Sequence, residues 1–163
     1  MKRVVIVRHA KSVPYGYDDD FNRDLMSRGV SDAEKISLRL REMDVFPDLV
    51  IASPAVRAMH TATIYCLNLG YDITSIRQEN VLYDGITTQD FVDMLQQLPE
   101  DVQTVFVFGH NPVVYYLVYN LVKYFKNDMP TCSTVGLDFQ VNNWLEVSTR
   151  AAQEAFQLTP KNV

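Results

Sequence analysis

Two arginines and two histidines are the most reactive side chains in this sequence: Arg8, His9, Arg57 and His110. An arginine guanidinium donates planar, bidentate hydrogen bonds that match the oxygens of a phosphoryl group. A neutral imidazole can attack phosphorus as a nucleophile. If the fold brings these four side chains together, the chemistry they offer is capture of a phosphoryl group and its transfer to a histidine.

The spacing of apolar runs indicates that the four residues do meet. The run Val4–Val7 directly precedes the first Arg-His pair, and the runs Leu49–Ala52 and Thr104–Phe108 precede the segments that hold the second arginine and the second histidine. Short, continuous apolar runs are typical of strands buried on both faces of a parallel sheet. Ligands bind such sheets outside the carboxyl ends of the strands. We therefore expect all four side chains at one rim.

Helical patterns alternate with these strands. Ser53-Pro54 and Asn111-Pro112 each pair a capping residue with a proline suited to the first helical position, and Gly70 is suited to end the helix between them. The N-terminal N–H groups of such helices attract anions. The alternation predicts an α/β fold, a three-layer sandwich whose mostly parallel sheet carries helices on both faces and is edged by at least one late antiparallel strand.

Length and composition limit the class of protein. A chain of 163 residues is expected to form one domain, residues 1–163. The net charge is −5 and no basic block stands out, which predicts no nucleic-acid partner. No apolar run approaches the roughly 18 residues of a membrane span or forms a signal peptide. We expect a cytoplasmic protein with two reduced thiols, Cys66 and Cys132, and a solvated loop at the acidic run 18–20.

The combination of motifs resembles the histidine phosphatase superfamily, and within it the small phosphohistidine phosphatase (SixA-like) branch. The motifs that carry the resemblance occur in the order of the family between residue 3 and about residue 144: Arg8-His9-Ala10-Lys11-Ser12, Arg23-Asp24-Leu25 with Arg28-Gly29, Ser53-Pro54-Ala55-Val56-Arg57-Ala58 with Thr61-Ala62, Leu82-Tyr83, and Gly109-His110-Asn111-Pro112. The resemblance implies a phosphoglycerate mutase-like fold and a two-step hydrolysis that needs no metal and no organic cofactor.

The resemblance also implies a role for each matching residue. His9 would be the nucleophile that becomes phosphorylated. The phosphoryl oxygens would be bound by Arg8, Arg57 and His110, with further substrate contacts from Ser12, Arg23 and Asn111. Asp24 replaces the proline that relatives have after this arginine. It is therefore left open whether the Arg23 side chain faces the pocket or the bound substrate at all, or points elsewhere.

A proton donor is the part that the sequence does not display clearly. Larger relatives carry a carboxylate general acid between the second strand and the His110 segment. Here the candidates are Asp84 and Glu79, and each is more simply explained as a solvated loop carboxylate. A phosphorylated imidazole leaves more easily than an alcohol, so a weak acid signal favours a phosphohistidine substrate over a sugar phosphate.

The sequence thus predicts a metal-independent phosphatase that acts on a phosphorylated side chain, with phosphohistidine on a protein as the favoured substrate. A small-molecule phosphomonoesterase is the main alternative, and a catalytically idle phosphopeptide-binding module is a third. A mutase is disfavoured, because the chain lacks insertions that would build a lid over a small sugar. A zinc site of three histidines is disfavoured too, since the arginines would repel a cation. The oligomeric state is left open.

Overall fold

A computed structural model describes residues 1–16 and 19–163, which form one six-stranded sheet between helices. The strands are β1 (Lys2–Arg8), β2 (Leu49–Ala52), β3 (Arg77–Gln78), β4 (Thr104–Gly109), β5 (Thr134–Phe139) and β6 (Gln153–Leu158). They lie in the order β3-β2-β4-β1-β5-β6. The first four in the chain are parallel to one another, and β5 runs antiparallel between β1 and β6. The predicted mostly parallel sheet is confirmed, with its antiparallel strand inside the sheet.

The helices cover both faces of this sheet. They are α1 (Ser27–Glu42), α2 (Val56–Leu69), α3 (Val81–Asp84), α4 (Thr88–Gln96) and α5 (Val113–Leu121), with short 3-10 turns at Asp20–Asn22, Ile73–Ser75 and Trp144–Glu146. Gly70 ends α2 in the left-handed conformation, with φ of 75°, as predicted. Within the described residues, none of these helices is long and apolar enough to cross a membrane.

The core divides into two halves because side chains alternate along each strand. On β1, Val5 and Val7 pack with apolar side chains of α1 and α2, while Val4 and Ile6 pack with those of α4 and α5. All four are fully buried. The predicted three-layer sandwich is therefore confirmed, and β1 lies at its centre.

The helices that follow β2 and β4 begin later than the capping motifs predict. Helix α2 begins two residues after Pro54, and α5 begins directly after Pro112, each without a side-chain cap. The predicted capping roles of Ser53 and Asn111 are wrong. The Ser53 hydroxyl accepts a bond of 3.2 Å from the Ala55 amide, one residue before α2 begins. Both side chains also make hydrogen bonds that are described below with the cleft.

The first turn of α1 lies directly against the loop that follows β1. A Cβ atom on Gly29 would overlap the carbonyl oxygen of Lys11 and lie 2.9 Å from the Lys11 nitrogen. That carbonyl is already held, because it accepts a hydrogen bond of 2.9 Å from the Met26 amide. The absence of a side chain at position 29 therefore lets α1 support the loop that carries His9.

We expect Gly29→Ala to lower the free energy of unfolding by about 1–3 kcal/mol, the usual range for overpacking a filled site. Alanine is the better helix former by about 1 kcal/mol, so propensity alone predicts the opposite sign. The measurement is urea unfolding followed by circular dichroism. Ser31→Ala, at an exposed position of the same helix, is the matched control and should leave stability unchanged. Stabilisation by Gly29→Ala would contradict the close approach.

Candidate active site

Three strand ends meet at one point of the sheet rim. β4 lies between β1 and β2, so the segments that follow these strands are neighbours. The amide of His9 donates to the carbonyl of Gly109 at 3.0 Å, and the amide of Ser53 donates to that of Phe108 at 2.9 Å. The rings of His9 and His110 lie 5.2 Å apart, measured between centroids. The strand ends that the sequence predicts to converge do converge.

A cleft of about 480 Å³ opens at this point, within the size range of ligand sites. It is lined by Arg8, His9, Lys11, Ser12, Pro14, Asp20, Arg23, Arg57, His110, Asn111 and Thr131. The cleft thus collects seven of the eight residues that the sequence singles out as catalytic or substrate-binding. The eighth, Asp84, is not among the lining residues, whereas Asp20 is a lining residue that the sequence does not single out.

His9 is buried, and its ring is held in one orientation. Its Nδ1 lies 2.8 Å from the carbonyl oxygen of Ala10. Because a carbonyl oxygen only accepts hydrogen bonds, Nδ1 carries the hydrogen and Nε2 keeps a free lone pair. Burial lowers the pKa of His9 to about 3, helped by the positive charges of Arg57 and Arg8, and by that of His110 when it is protonated in acid, and opposed by the bond to Ala10. Burial is thus a larger cause of the neutral form than the nearby charges.

His110 faces His9 across the rim and is also neutral. Its Nε2 lies 2.8 Å from the hydroxyl of Ser53, which also accepts a hydrogen bond of 3.2 Å from the Ala55 amide. Burial lowers the pKa of His110 to about 4, and the charge of Arg57 adds to the effect. The ring of Tyr83 meets His110 edge-on at 5.6 Å between centroids. The cleft therefore presents two uncharged imidazoles.

Arg57 lies in the first turn of α2 but is buried rather than solvated. Its Nη1 donates to the backbone oxygen of Asp20 at 2.6 Å, and its Nη2 donates to the Asp20 carboxylate at 3.1 Å. No described residue accepts a hydrogen bond from its Nε. One edge of the guanidinium is therefore held by Asp20, while other N–H groups stay available to a ligand.

Arg23 and Tyr83 bind the same carboxylate. Arg23 donates to Asp20 through Nη2 at 2.8 Å and through Nε at 3.2 Å, and the Tyr83 hydroxyl donates to it at 2.8 Å. The Arg23 Nη1 also donates to the Ser12 hydroxyl at 3.3 Å. These bonds, that of Arg23 first, hold the pKa of Asp20 well below its usual range. Arg23 thus faces the cleft, which answers the question that Asp24 leaves open in the sequence.

Asp20 is the site residue that sequence analysis missed. The acidic run 18–20 is predicted to be a solvated loop, and this is wrong for Asp20. Asp19 is exposed and caps the short turn that follows it, while position 18 lies outside the described residues. The contact between Asp20 and Arg57 joins residues 37 positions apart, and no motif or spacing in the sequence indicates it.

Asp84 requires the opposite correction. It is the exposed last residue of α3, and the neighbouring Tyr83 is the residue whose side chain turns towards Asp20 in the cleft. Successive residues on a helix point about 100° apart, so Asp84 is directed away. Glu79 accepts a bond of 2.6 Å from Arg77 and does not line the cleft either. Neither candidate proton donor lies with the imidazoles.

Arg8 and Asn111 form one wall of the cleft. Nη1 of Arg8 and Nδ2 of Asn111 both donate to the carbonyl oxygen of Met129, at 3.1 and 3.0 Å. The bond to Met129 explains why Asn111 does not cap α5. No described residue accepts from the buried Nε of Arg8. The wall is therefore fixed by hydrogen bonds and still contains a guanidinium N–H without a partner.

The remaining histidine and the cysteines are separate from this chemistry. His60 is half-exposed on α2, with Nδ1 2.7 Å from the carboxylate of Asp24. Cys66 and Cys132 are buried and unpaired with each other. Across residues 1–16 and 19–163, no group of three or more histidine, cysteine, aspartate or glutamate side chains is arranged to hold a metal ion.

Sequence comparison finds relatives over part of the chain. The chain is 33% identical over 84 residues to the protein named serine/threonine-protein phosphatase Pgam5, mitochondrial, of Drosophila virilis. These 84 residues are 52% of this chain and 29% of the relative. The Drosophila grimshawi protein of the same name is 32% identical over the same length. The chain therefore matches less than a third of the length of these curated relatives. No protein-family model matches it.

Comparison with solved structures covers nearly the whole chain. The protein histidine phosphatase SixA complexed with tungstate superposes with a TM-score of 0.82 at 24% identity, over 98% of both chains. The putative phosphohistidine phosphatase SixA from Agrobacterium tumefaciens gives 0.81 at 23% identity, again over 98% of both chains. A mycobacterial glucosyl-3-phosphoglycerate phosphatase gives 0.70 at 14% identity, over 94% of this chain and 98% of the other. The resemblance inferred from the motifs is confirmed at this level: the chain has the fold of the SixA-type phosphohistidine phosphatases.

Proposed function

We propose that this chain is a phosphatase that removes phosphoryl groups from phosphohistidine on proteins, through a phosphohistidine formed on His9. The observation that carries the proposal is the state of His9, a neutral imidazole with a free Nε2 lone pair beside three guanidiniums. Pgam5 and SixA, which are named protein phosphatases, support it, and one SixA structure was solved with tungstate, a tetrahedral oxyanion like phosphate. The glucosyl-3-phosphoglycerate phosphatase, with a lower TM-score, is the counterpart of the small-molecule alternative.

The reaction takes two steps. The phosphoryl oxygens are bound by Arg8, Arg23 and Arg57, which neutralise their charge, and by a hydrogen bond from His110. Nε2 of His9 attacks phosphorus in line, a P–N bond to His9 forms, and the P–N bond to the substrate imidazole breaks. Water then attacks the phosphorylated His9, releases inorganic phosphate and restores the imidazole with its hydrogen on Nδ1. No step uses a metal ion or an organic cofactor.

The carboxylate in the cleft favours phosphohistidine over an alkyl phosphate. Asp20 accepts hydrogen bonds from two arginines and a tyrosine and is therefore ionised, so it has no proton to donate to a leaving alkoxide. A phosphohistidine protonated on its other ring nitrogen leaves as neutral imidazole and brings its own proton. The cleft meets the needs of this leaving group without a general acid.

The setting of the proposed reaction follows from composition. With a net charge of −5, we propose protein rather than nucleic-acid partners. Both cysteines are free thiols, which supports the proposal of a cytoplasmic location.

We expect His9→Ala to abolish both turnover and the covalent phosphoenzyme. His110→Ala should slow the reaction by roughly 10²–10³, as expected for a lost charge-stabilising donor, and still accumulate label. The measurement uses a peptide with ³²P-labelled phosphohistidine, a rapid quench in alkali, which preserves phosphohistidine, and mapping of the labelled fragment. Label on the fragment that contains His110 would reverse the two roles.

The neutral state of His9 gives a direct spectroscopic prediction. Long-range ¹H–¹⁵N correlation spectra at pH 6 should show a neutral ring, because the pKa of His9 is lowered to about 3. The hydrogen should be on Nδ1 and not on Nε2, because Nδ1 donates to the Ala10 carbonyl. Ala10 makes this contact through its backbone carbonyl, so a substitution of its side chain would not test the bond. The spectrum of His9→Ala lacks the His9 ring and therefore identifies which signals belong to it. An imidazolium, or a hydrogen on Nε2, at pH 6 would contradict the proposed nucleophile.

Asp20 and Asp84 form a matched pair that tests which carboxylate serves the site. Asp20→Asn keeps the shape but replaces the charge-assisted bonds to Arg23 and Arg57 by neutral ones, at a cost of about 1.5–3 kcal/mol in total, so kcat/KM should fall by about 10–10². Asp84→Asn should remain within about twofold, as for most exposed positions. Both variants are assayed with free phosphohistidine and with an alkyl phosphate, whose poor leaving group needs a proton donor. A large loss in Asp84→Asn on the alkyl phosphate alone would identify Asp84 as a general acid and favour the phosphomonoesterase alternative.

A further inference from the structure

A second hollow, of about 620 Å³, opens beside the catalytic cleft. The two spaces share Arg8 and Asn111, the residues that both donate to the Met129 carbonyl. Beyond this shared wall the hollow is bordered by Pro112, Tyr115, Tyr116, Asp128, Met129 and Lys161, and we name it the tyrosine groove. A ligand group in the groove therefore lies beside Arg8, whose guanidinium we propose binds the phosphoryl group in the cleft.

The aromatic wall of the groove is formed before any ligand binds. Tyr115 and Tyr116 lie in the first turn of α5, whose buried side packs Val114 and Leu117 into the core. Their rings contact each other with centroids 5.6 Å apart, and Tyr116 is 55% exposed. Tyrosine offers a large contact area at a low cost in side-chain entropy and is enriched at protein interfaces. The wall is therefore suited to an apolar or aromatic side chain of a partner.

The groove also holds a cation without a carboxylate partner. None of the ion pairs formed by the described residues includes the exposed Lys161. Arg28, which pairs with Asp32 at 3.9 Å, joins Lys161 at a small adjoining hollow, and Asp128 is the one carboxylate among the residues that border the groove. Lys161 is therefore the cation at this end of the groove that is available to an acidic side chain of a partner.

We propose that the tyrosine groove binds the stretch of the phosphorylated protein that flanks the phosphohistidine, with an apolar or aromatic side chain against Tyr116 and an acidic one beside Lys161. This inference rests on the proposed function and adds the surface that recognises the substrate. With the phosphorylated imidazole in the cleft, the backbone that carries it must cross the rim, and the groove adjoins that rim at Arg8. A small phosphorylated metabolite ends inside the cleft and leaves the groove empty.

The test compares free phosphohistidine with synthetic peptides that carry one phosphohistidine. In one peptide every flanking residue is Gly or Ser. In a matched series, one Phe and one Glu are moved through the positions on either side. We expect the unmodified enzyme to hydrolyse at least one member of the series with a kcat/KM about tenfold above that of the Gly/Ser peptide, the gain typical of one good aromatic anchor. The gain should appear as a lower KM, with kcat unchanged.

Two substitutions in the groove should remove this preference. Tyr116→Ala should lower kcat/KM for the preferred peptide about tenfold. Lys161→Gln should lower it a few-fold, with a loss that shrinks as salt is raised. Both variants should hydrolyse free phosphohistidine at the unmodified rate. Tyr124→Ala, an exposed tyrosine outside the groove, is the control and should keep the preference.

The outcomes separate the two proposals. Equal kcat/KM for all peptides in the unmodified enzyme, or a preference that survives both groove substitutions, would overturn the role of the groove while leaving the phosphatase intact. A loss of free phosphohistidine hydrolysis in Tyr116→Ala would overturn it as well, since the tyrosine would then serve the cleft itself. No hydrolysis of any phosphohistidine substrate by the unmodified enzyme would instead refute the proposed function.

Discussion

The chemistry of the cleft depends on keeping imidazoles uncharged beside guanidiniums. Desolvation achieves this, since burial lowers the pKa of His9 to about 3 and that of His110 to about 4. This arrangement costs stability in acid. Unfolded histidines titrate near 6.5, so between that pH and the folded values the unfolded chain binds protons that the folded chain refuses, and stability falls as the pH falls. The loss of stability in acid accompanies two imidazoles that stay neutral near pH 7.

The guanidiniums create a second electrostatic problem, which Asp20 solves. Without a counter-charge, the buried Arg57 would be costly to desolvate and would lack a fixed direction. The Asp20 carboxylate and backbone oxygen bind one edge of it, and the same carboxylate binds Arg23. The remaining N–H groups are thereby oriented in advance for an anion, which is the form of electrostatic stabilisation that needs no rearrangement during reaction.

Local patterns in the sequence are enough to predict the frame of the site. Continuous apolar runs mark β1, β2 and β4, because a strand buried on both faces cannot alternate with polar residues. The rule that ligands bind at the carboxyl ends of parallel strands then places His9, Arg57 and His110 together. The ends of helices were less predictable, as Ser53 and Asn111 show. A capping residue is identified by type alone, but its hydroxyl or amide binds whichever partner the fold brings closest.

The carboxylate that lines the cleft depends on contacts between distant segments, which the sequence does not display. Asp20 and Asp84 are both loop-edge acids in sequence, and nothing local separates them. Asp20 approaches Arg57 because the segment after β1 folds back over the start of α2, a contact across 37 residues. Asp84 is turned outwards because Tyr83, one residue earlier, takes the inward position on α3. Local patterns fix which elements form, whereas the direction of a loop side chain depends on packing between segments that are distant in the chain.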